Sequence, residues 1–162
     1  MYDNLMMEVG MMDSSEAAEL QAAAVSARDR AYAPYSNFQV GAALLDDQGR
    51  VHAGCNVENA AYGPTNCAER TALFRAIADG ARPGAFRGIA VVGDTPSPIA
   101  PCGVCRQVMI ELCPPDMPVW MGNIHGQWQR STVAELLPGA FVLVREEPAP
   151  PQPTHNQDKG GV

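Results

Sequence analysis

Three cysteines at the starts of two predicted helices constrain the fold of this chain more than any other feature. Residues 67–69 read Cys-Ala-Glu, and residues 101–105 read Pro-Cys-Gly-Val-Cys. Cys102 and Cys105 are three residues apart, so they share one face of their helix. If the two helices begin side by side, both sulfurs meet that of Cys67 at one point. A fold that brings the two helix starts together would therefore gather three sulfurs.

The position of these cysteines favours a metal site with catalytic chemistry. Helix N-termini offer unpaired N–H groups and a positive dipole end, which stabilise thiolates. Three protein ligands with an open fourth position form the catalytic arrangement for zinc, and Cys55 and Cys113 lie in other predicted elements. Glu69 follows a ligand by two residues and can take a proton from zinc-bound water. A non-ligating Glu followed by Pro-Cys-x-x-Cys is the known signature of zinc deaminases.

Three thiolates on one divalent zinc leave an excess negative charge, which weakens the pull of the metal on its water. Arg70 and Arg106 each closely follow a proposed ligand. We hypothesise that Arg70 donates hydrogen bonds to the ligand sulfurs and withdraws part of this charge.

Hydrophobic spacing and turn signals predict the order helix, hairpin, helix, strand, helix, strand, helix. The segments are Asp13 to about Tyr32, Phe38–Leu45 with Arg50–Asn56, Cys67–Asp79, Phe86–Val92, Cys102–Leu112, Met117–Gly122, and a short helix opened by Thr132 and ended by Pro138. Strands alternating with helices indicate parallel pairing with helices on both faces. We predict one three-layer α/β/α domain over residues 13–145, and disordered tails at 1–12 and 146–162.

Charge and composition exclude several classes of function. The formal net charge of -7 disfavours stable binding to phosphate backbones, so we expect no nucleic-acid partner. No stretch is apolar for long enough to span a bilayer, and the first residues lack the pattern of a signal peptide. Five cysteines in a chain of this kind indicate metal binding more than disulfides, which suits the cytosol.

Five segments carry a family resemblance. They are APYSNFQVGAAL at 33–44, GCNVENAAY at 54–62, CAERTA at 67–72, PCGVCRQ at 101–107 and LLPGAF at 136–141. In this order they closely resemble the small homotetrameric cytidine deaminases, over about residues 28–141. The resemblance implies a mixed five-stranded sheet in the α/β/α sandwich, one zinc ion per subunit, and a homotetramer with shared active sites.

The resemblance also implies a reaction, namely hydrolytic deamination of cytidine and 2′-deoxycytidine to the uridine nucleosides in pyrimidine salvage. Zinc-bound hydroxide would attack the base, ammonia would leave, and Glu69 would shuttle protons. Cys67, Cys102 and Cys105 would bind the zinc. The implied substrate-binding residues are Phe38 against the pyrimidine, Asn56, Glu58 and Asn59 at the ribose, and Ala60, Tyr62 and Phe141 in a neighbour's site. A buried, anionic Glu58 would also repel a 5′-phosphate and favour nucleosides.

Four other functions fit the sequence less well. A deaminase of a cytosine-containing antibiotic would lack the Asn-x-Glu-Asn segment that is intact at residues 56–59. Deamination of RNA or DNA is disfavoured by the negative charge. A binding module without catalysis would not need Glu69. A redox role for Cys102 and Cys105 is disfavoured by their combination with residues 67–69.

Overall fold

The computed structural model describes residues 12–143, so the two predicted tails lie outside it except for Met12. Its helices are α1 Ser14–Arg28, α2 Ala68–Ala78, α3 Gly103–Leu112 and α4 Val133–Leu136. Its strands are β1 Val40–Asp46, β2 Val51–Cys55, β3 Phe86–Gly93, β4 Pro118–Asn123 and β5 Trp128–Thr132. Within residues 12–143, no helix is long and apolar enough to cross a membrane.

A mixed five-stranded sheet lies between two helical layers, which confirms the predicted fold class. The strand order is β2-β1-β3-β4-β5, with β3 and β4 parallel and the other neighbouring pairs antiparallel. On one face, Leu20 and Ala24 of α1 pack against alternate residues of β1 and β3. On the other face, α2 and α3 cover a larger apolar core that includes Leu73, Ile89 and Met109. The sheet therefore separates α1 from the two helices that carry the cysteines.

Helix α1 begins as predicted and ends earlier than predicted. Asp13 accepts from the backbone N–H of Glu16 and Glu16 accepts from that of Asp13, so the reciprocal cap is present. The helix stops at Arg28, whereas the sequence suggested about Tyr32. Tyr32 instead pairs with the backbone around Val57, donating to Asn56 O and accepting from Glu58 N. A tertiary backbone pairing thus takes the last predicted turn out of the helix.

Strand β5 was absent from the element order that hydrophobic spacing predicted. Residues 128–132 read Trp-Gln-Arg-Ser-Thr, and their side chains are only partly buried or exposed. An edge strand of this kind lacks the apolar run or clean alternation that identifies a strand from sequence. The family resemblance did imply five strands, and the fifth pairs antiparallel with β4.

Buried Asp46 closes the hairpin that joins β1 and β2. Its Oδ1 accepts from the N–H groups of Gln48 and Arg50, and its Oδ2 lies 2.8 Å from Arg50 Nε and 3.0 Å from His52 Nε2. Burial alone would raise the pKa of Asp46, but these contacts outweigh it and lower the pKa to about 2. The predicted turn therefore has an ionised carboxylate at its base.

Two glycines in the hairpin allow helices to approach both faces of the sheet. A Cβ added to Gly41 would lie 2.1 Å from Ala24 O in α1. A Cβ added to Gly54 would lie 2.4 Å from Ala72 N and 2.6 Å from Ala68 O in α2. Any side chain at residue 54 would push α2 off the sheet, and α2 carries the residues that follow Cys67.

We expect Gly54→Ala to lower the free energy of unfolding by about 3 kcal/mol, because the backbone atoms of α2 that the added Cβ would meet cannot move away. Gly63→Ala is the matched control, since an added Cβ there meets nothing closer than 3.9 Å. Urea unfolding of the three proteins gives the comparison. Equal stability of the two variants would show that α2 does not need the close approach.

Candidate metal centre and adjoining cleft

The two cysteine-bearing helices begin beside each other on one face of the sheet. Cys67 is the N-cap of α2 and Cys102 is the N-cap of α3, and neither uses its side chain to cap the helix. Cys105 lies one turn into α3 and is buried. The three Sγ atoms lie within 4.8 Å of one another. The sulfurs therefore converge, as expected for two helices that begin side by side.

The geometry and chemistry of this cluster fit zinc. Two sulfurs on a tetrahedral metal with bonds of about 2.3 Å are about 3.8 Å apart. Cys67 Sγ and Cys102 Sγ are 3.8 Å apart. Soft thiolate donors select zinc over hard cations such as Mg²⁺. Among residues 12–143, this is the one group of three or more His, Cys, Asp or Glu side chains whose ligand atoms are close enough to hold a metal ion.

One sulfur of the cluster is set up to be a thiolate. Hydrogen bonding with the Cys105 thiol, together with Arg70 and Cys102, outweighs burial and lowers the pKa of Cys67 to about 5. The same contact with Cys67, with burial and the charge of Glu69, raises the pKa of Cys105. Of these two cysteines, Cys67 is therefore the one that ionises more readily.

The guanidinium group of Arg70 lies against the cluster. Its Nη2 donates to Cys67 Sγ at 3.4 Å and to Thr65 O at the same distance. Arg106 differs, because its Nε donates to Pro101 O and its Nη1 to Leu136 O. Of the two arginines that follow ligands, Arg70 therefore contacts a sulfur, and Arg106 fastens the loop before α3 to the end of α4.

Glu69 is a buried carboxyl group beside the sulfurs, with only 4% of its surface exposed. Burial raises the pKa of Glu69 to about 7, and the charge of Cys67 adds to this effect. A carboxyl group with such a pKa can gain or lose a proton near neutral pH. The arrangement therefore combines a metal site with a nearby proton acceptor.

A cleft is linked to the metal centre through Arg70, which donates both to Thr65 O in the cleft lining and to Cys67 Sγ; neither the three cysteines nor Glu69 lines the cleft itself. Val57 and Asn66 exchange both backbone hydrogen bonds, and Cys67 follows directly. The cleft has a volume of about 360 Å³ and is lined by Tyr35, Ser36, Glu58, Asn59, Tyr62 and Thr65. A larger cavity of about 530 Å³ lies across the sheet, between α1 and the loop before β4, and contains none of the predicted site residues.

Asn56 holds the segment that carries Phe38. Its Oδ1 accepts from Val40 N at 2.8 Å, and its Nδ2 donates to Phe38 O at 2.8 Å. One N–H and one acceptor position of the amide remain for other partners. The Phe38 ring is 39% exposed and lies against Gly93, where an added Cβ would be 3.1 Å from Cζ. It therefore stands at the carboxyl end of β3.

Glu58 is half-buried, whereas the charge argument from sequence assumed a buried residue. Its Oε2 accepts from the N–H groups of Tyr35 and Ser36, and its Oε1 accepts from Ser36 Oγ. The Ser36 hydrogen bond, reinforced by the two N–H groups against a smaller effect of burial, lowers the pKa of Glu58. The carboxylate is therefore ionised and fixed at the mouth of the cleft.

The other predicted substrate-binding residues lie on exposed loops. Asn59 accepts from Ala61 N in a local turn. Tyr62 is 79% exposed with a φ of 58°, and Phe141 is 71% exposed with its carbonyl held by Gln107. Ala60 is also exposed. Sequence reasoning gave no role to Ser36 or Thr65, although the short Ser-x-Phe spacing was present in the resembling segment.

We expect Arg70→Ala to weaken zinc binding by about tenfold to a hundredfold, because the ligand sulfurs lose a charged donor. The measurement is competition for zinc with a chromophoric chelator. Arg75→Ala is the matched control, since Arg75 lies on the same helix with its side chain 58% exposed. Unchanged zinc affinity and unchanged turnover in Arg70→Ala would remove the proposed role of this arginine.

Comparison with known proteins identifies the family. The family described as "Cytidine and deoxycytidylate deaminase zinc-binding region" matches residues 14–121. Cytidine deaminase of Halalkalibacterium halodurans is 61% identical over 118 residues, 73% of this chain and 88% of the relative. Cytidine deaminase of Sporosarcina psychrophila is 54% identical over 123 residues, which cover 76% of this chain and 89% of the relative. The crystal structure of cytidine deaminase from Burkholderia pseudomallei superposes with a TM-score of 0.75 at 60% identity, covering 76% of this chain and 98% of that one. The chain therefore belongs to the cytidine and deoxycytidylate deaminase family.

Proposed function

We propose that this protein is a zinc-dependent cytidine deaminase that converts cytidine and 2′-deoxycytidine to uridine and 2′-deoxyuridine with release of ammonia. The observation that carries the proposal is Glu69, a buried carboxyl group with a pKa of about 7 next to three convergent cysteine sulfurs. Relatives at 54% and 61% identity bear the name cytidine deaminase. Such an activity suits the salvage of pyrimidine nucleosides.

Cys67, Cys102 and Cys105 would hold the zinc as thiolates. When bound there, zinc supplies a Lewis acid that makes water nucleophilic near neutral pH. Arg70 donates to Cys67 Sγ and reduces the negative charge that three sulfurs place on the centre. The helix starts at Cys67 and Cys102 act in the same direction through their positive dipole ends.

Glu69 moves the protons of the reaction. Its carboxylate takes a proton from the attacking water and delivers it to N3 of the pyrimidine ring, which makes C4 electrophilic. The water oxygen then bonds to C4, and Glu69 passes the second proton of that oxygen to the leaving amine, so that ammonia departs. A pKa near 7 suits a group that must both accept and donate within one turnover.

Glu58 in the cleft, together with Phe38 and Asn56, would hold the nucleoside. Phe38 would offer a ring face to the pyrimidine, and the N–H and acceptor position of Asn56 that have no partner within the described residues would bind the sugar. A carboxylate has about four acceptor positions, and three of those on Glu58 already have partners within the described residues. One sugar hydroxyl can therefore bind, which we assign to the 3′-hydroxyl. A contact of this kind would admit both the ribo- and the 2′-deoxyribonucleoside.

Asn59 would support this sugar site indirectly. Its side chain holds the loop at Ala61, and its N–H donates to Thr65 Oγ1 at the edge of the cleft. The ionised Glu58 would also repel a 5′-phosphate that came close, although its partial exposure weakens this effect. We therefore expect a preference for nucleosides over nucleotides.

We further propose a homotetramer in which neighbouring chains complete each other's sites. Tyr62, Phe141, Val142 and Leu143 are each more than 60% exposed in the single chain. Phe141, Val142 and Leu143 are consecutive, and exposed apolar side chains that adjoin one another are typical of protein interfaces. Ala60, Tyr62 and Phe141 would then line the site of a neighbour. The catalytic domain spans residues 13–145 in this proposal, and its reduced cysteines suit the cytosol.

We expect Glu69→Gln to lower turnover of cytidine by about a thousandfold while the zinc content stays at one ion per chain, because the amide cannot shuttle protons. Ammonia release and zinc content are measured on the same preparations. Glu111→Gln, at an exposed position of α3, is the matched control. A zinc-loaded wild-type enzyme without turnover would remove the proposed function, and an active Glu69→Gln enzyme would remove the role of Glu69.

The shared site can be tested by mixing two inactive variants. Glu69→Gln subunits keep Phe141, and Phe141→Ala subunits keep Glu69. If Phe141 acts in a neighbour's site, co-expression at equal levels restores intact sites at up to about a quarter of positions. Activity no higher than that of the separate parents would contradict a contribution in trans, as would full activity of Phe141→Ala alone.

A further inference from the structure

The hydroxyl group of Ser36 joins Glu58 in the cleft to the backbone of Phe38. It donates its proton to Glu58 Oε1 and accepts from Phe38 N at 3.0 Å. Its own N–H donates to Glu58 Oε2 at 3.2 Å, next to that of Tyr35 at 2.9 Å. One side chain thus contacts both the carboxylate proposed to bind the sugar and the backbone of the residue proposed to stack on the base.

The backbone around Ser36 depends on this contact. Asn37 has a φ of 55°, in the left-handed region that few residues adopt without support. Asn37 N donates to Ala33 O, and the bond from Phe38 N to Ser36 Oγ spans Asn37. Such a serine turn fixes the conformation of the residue that it encloses. The orientation of Phe38 therefore depends on the Ser36 side chain from one side and on Asn56 from the other.

The hydrogen bonds also fix what Ser36 can do. A hydroxyl group has one proton, and Ser36 gives it to Glu58, so Ser36 has no donor left for a nucleoside. Without that donor, Oε1 of Glu58 would turn toward water or take a sugar hydroxyl in a less defined geometry. The hydroxyl group also stabilises the charged form of Glu58, since its hydrogen bond is the largest influence that lowers the pKa of that carboxyl.

We propose that Ser36 is a positioning residue that sets the sugar specificity of the enzyme by aiming Glu58 at one hydroxyl of the nucleoside. The inference rests on the proposed function. Ser36, a side chain outside the metal centre, would hold the carboxylate that binds the sugar and the ring that stacks on the base at a fixed distance from each other.

The test compares Ser36→Ala with the wild type on cytidine, 2′-deoxycytidine and 3′-deoxycytidine. We expect Ser36→Ala to lower kcat/KM by about tenfold for the first two substrates, mainly through KM, because a well-placed hydrogen bond to a charged group is lost. For 3′-deoxycytidine, which lacks the hydroxyl group that Glu58 would bind, the loss should be less than about threefold.

A purely structural role of Ser36 predicts the same loss for all three substrates. A ratio of losses near one, or no loss at all, would therefore overturn the proposal. Ser131→Ala is the matched control, because it removes a hydroxyl group that donates to the carboxylate of Glu135, and neither residue lines the cleft. Its losses should be equal for the three sugars.

A second variant separates the hydroxyl group from the volume of the side chain. Ser36→Thr keeps the donor at an exposed position, so its three kcat/KM values should keep the wild-type pattern. The same sugar-dependent loss in Ser36→Thr as in Ser36→Ala would overturn the proposal. A wild-type enzyme that fails to deaminate cytidine would instead remove the proposed function, so the two failures are distinguishable.

Discussion

The crowding of three thiol groups at one point is the interaction on which the rest of the structure depends. Thiolates within 4.8 Å repel one another, so the protein must supply positive charge around them. Two helix starts and one guanidinium group do this, and each requires its own support. Gly54 lets α2 approach the sheet closely, and Arg106 fastens the loop before α3 to the end of α4. The sheet topology then serves to hold two helix ends in contact.

Local sequence patterns predicted the parts of the fold that depend on local physics. The helices after Asp13 and Thr132 began as expected, because their reciprocal caps join residues only three positions apart. The predicted end of α1 was wrong because the backbone of Tyr32 pairs with that of Val57, which lies 25 residues further along the chain. Strand β5 escaped detection because an exposed edge strand needs no apolar alternation. Both errors occur where a distant backbone partner decides the structure.

The candidate site was predictable to a similar degree. The convergence of the cysteines followed from their spacing and from helix geometry. Two other features could not be predicted from spacing: Glu58 is half-buried, and the Asn56 amide bonds to two backbone groups. Both depend on how the loop at residues 33–38 folds over the hairpin. The roles proposed for exposed residues such as Phe141 would depend on neighbouring chains. For that reason neither spacing nor the fold of one chain determines them.

The backbone bridge between Val57 and Asn66 has a consequence for how this scaffold can diverge. The bridge fixes the distance between the segment proposed to bind the sugar and Cys67, whatever lies between them. Residues 59–65 form a loop that leaves and returns at this one clamp, with Tyr62 at its exposed tip. Insertions or deletions there would reshape the rim of the cleft and leave the metal ligands in register. New substrate ranges are therefore accessible through changes in loop length, with the catalytic chemistry inherited intact.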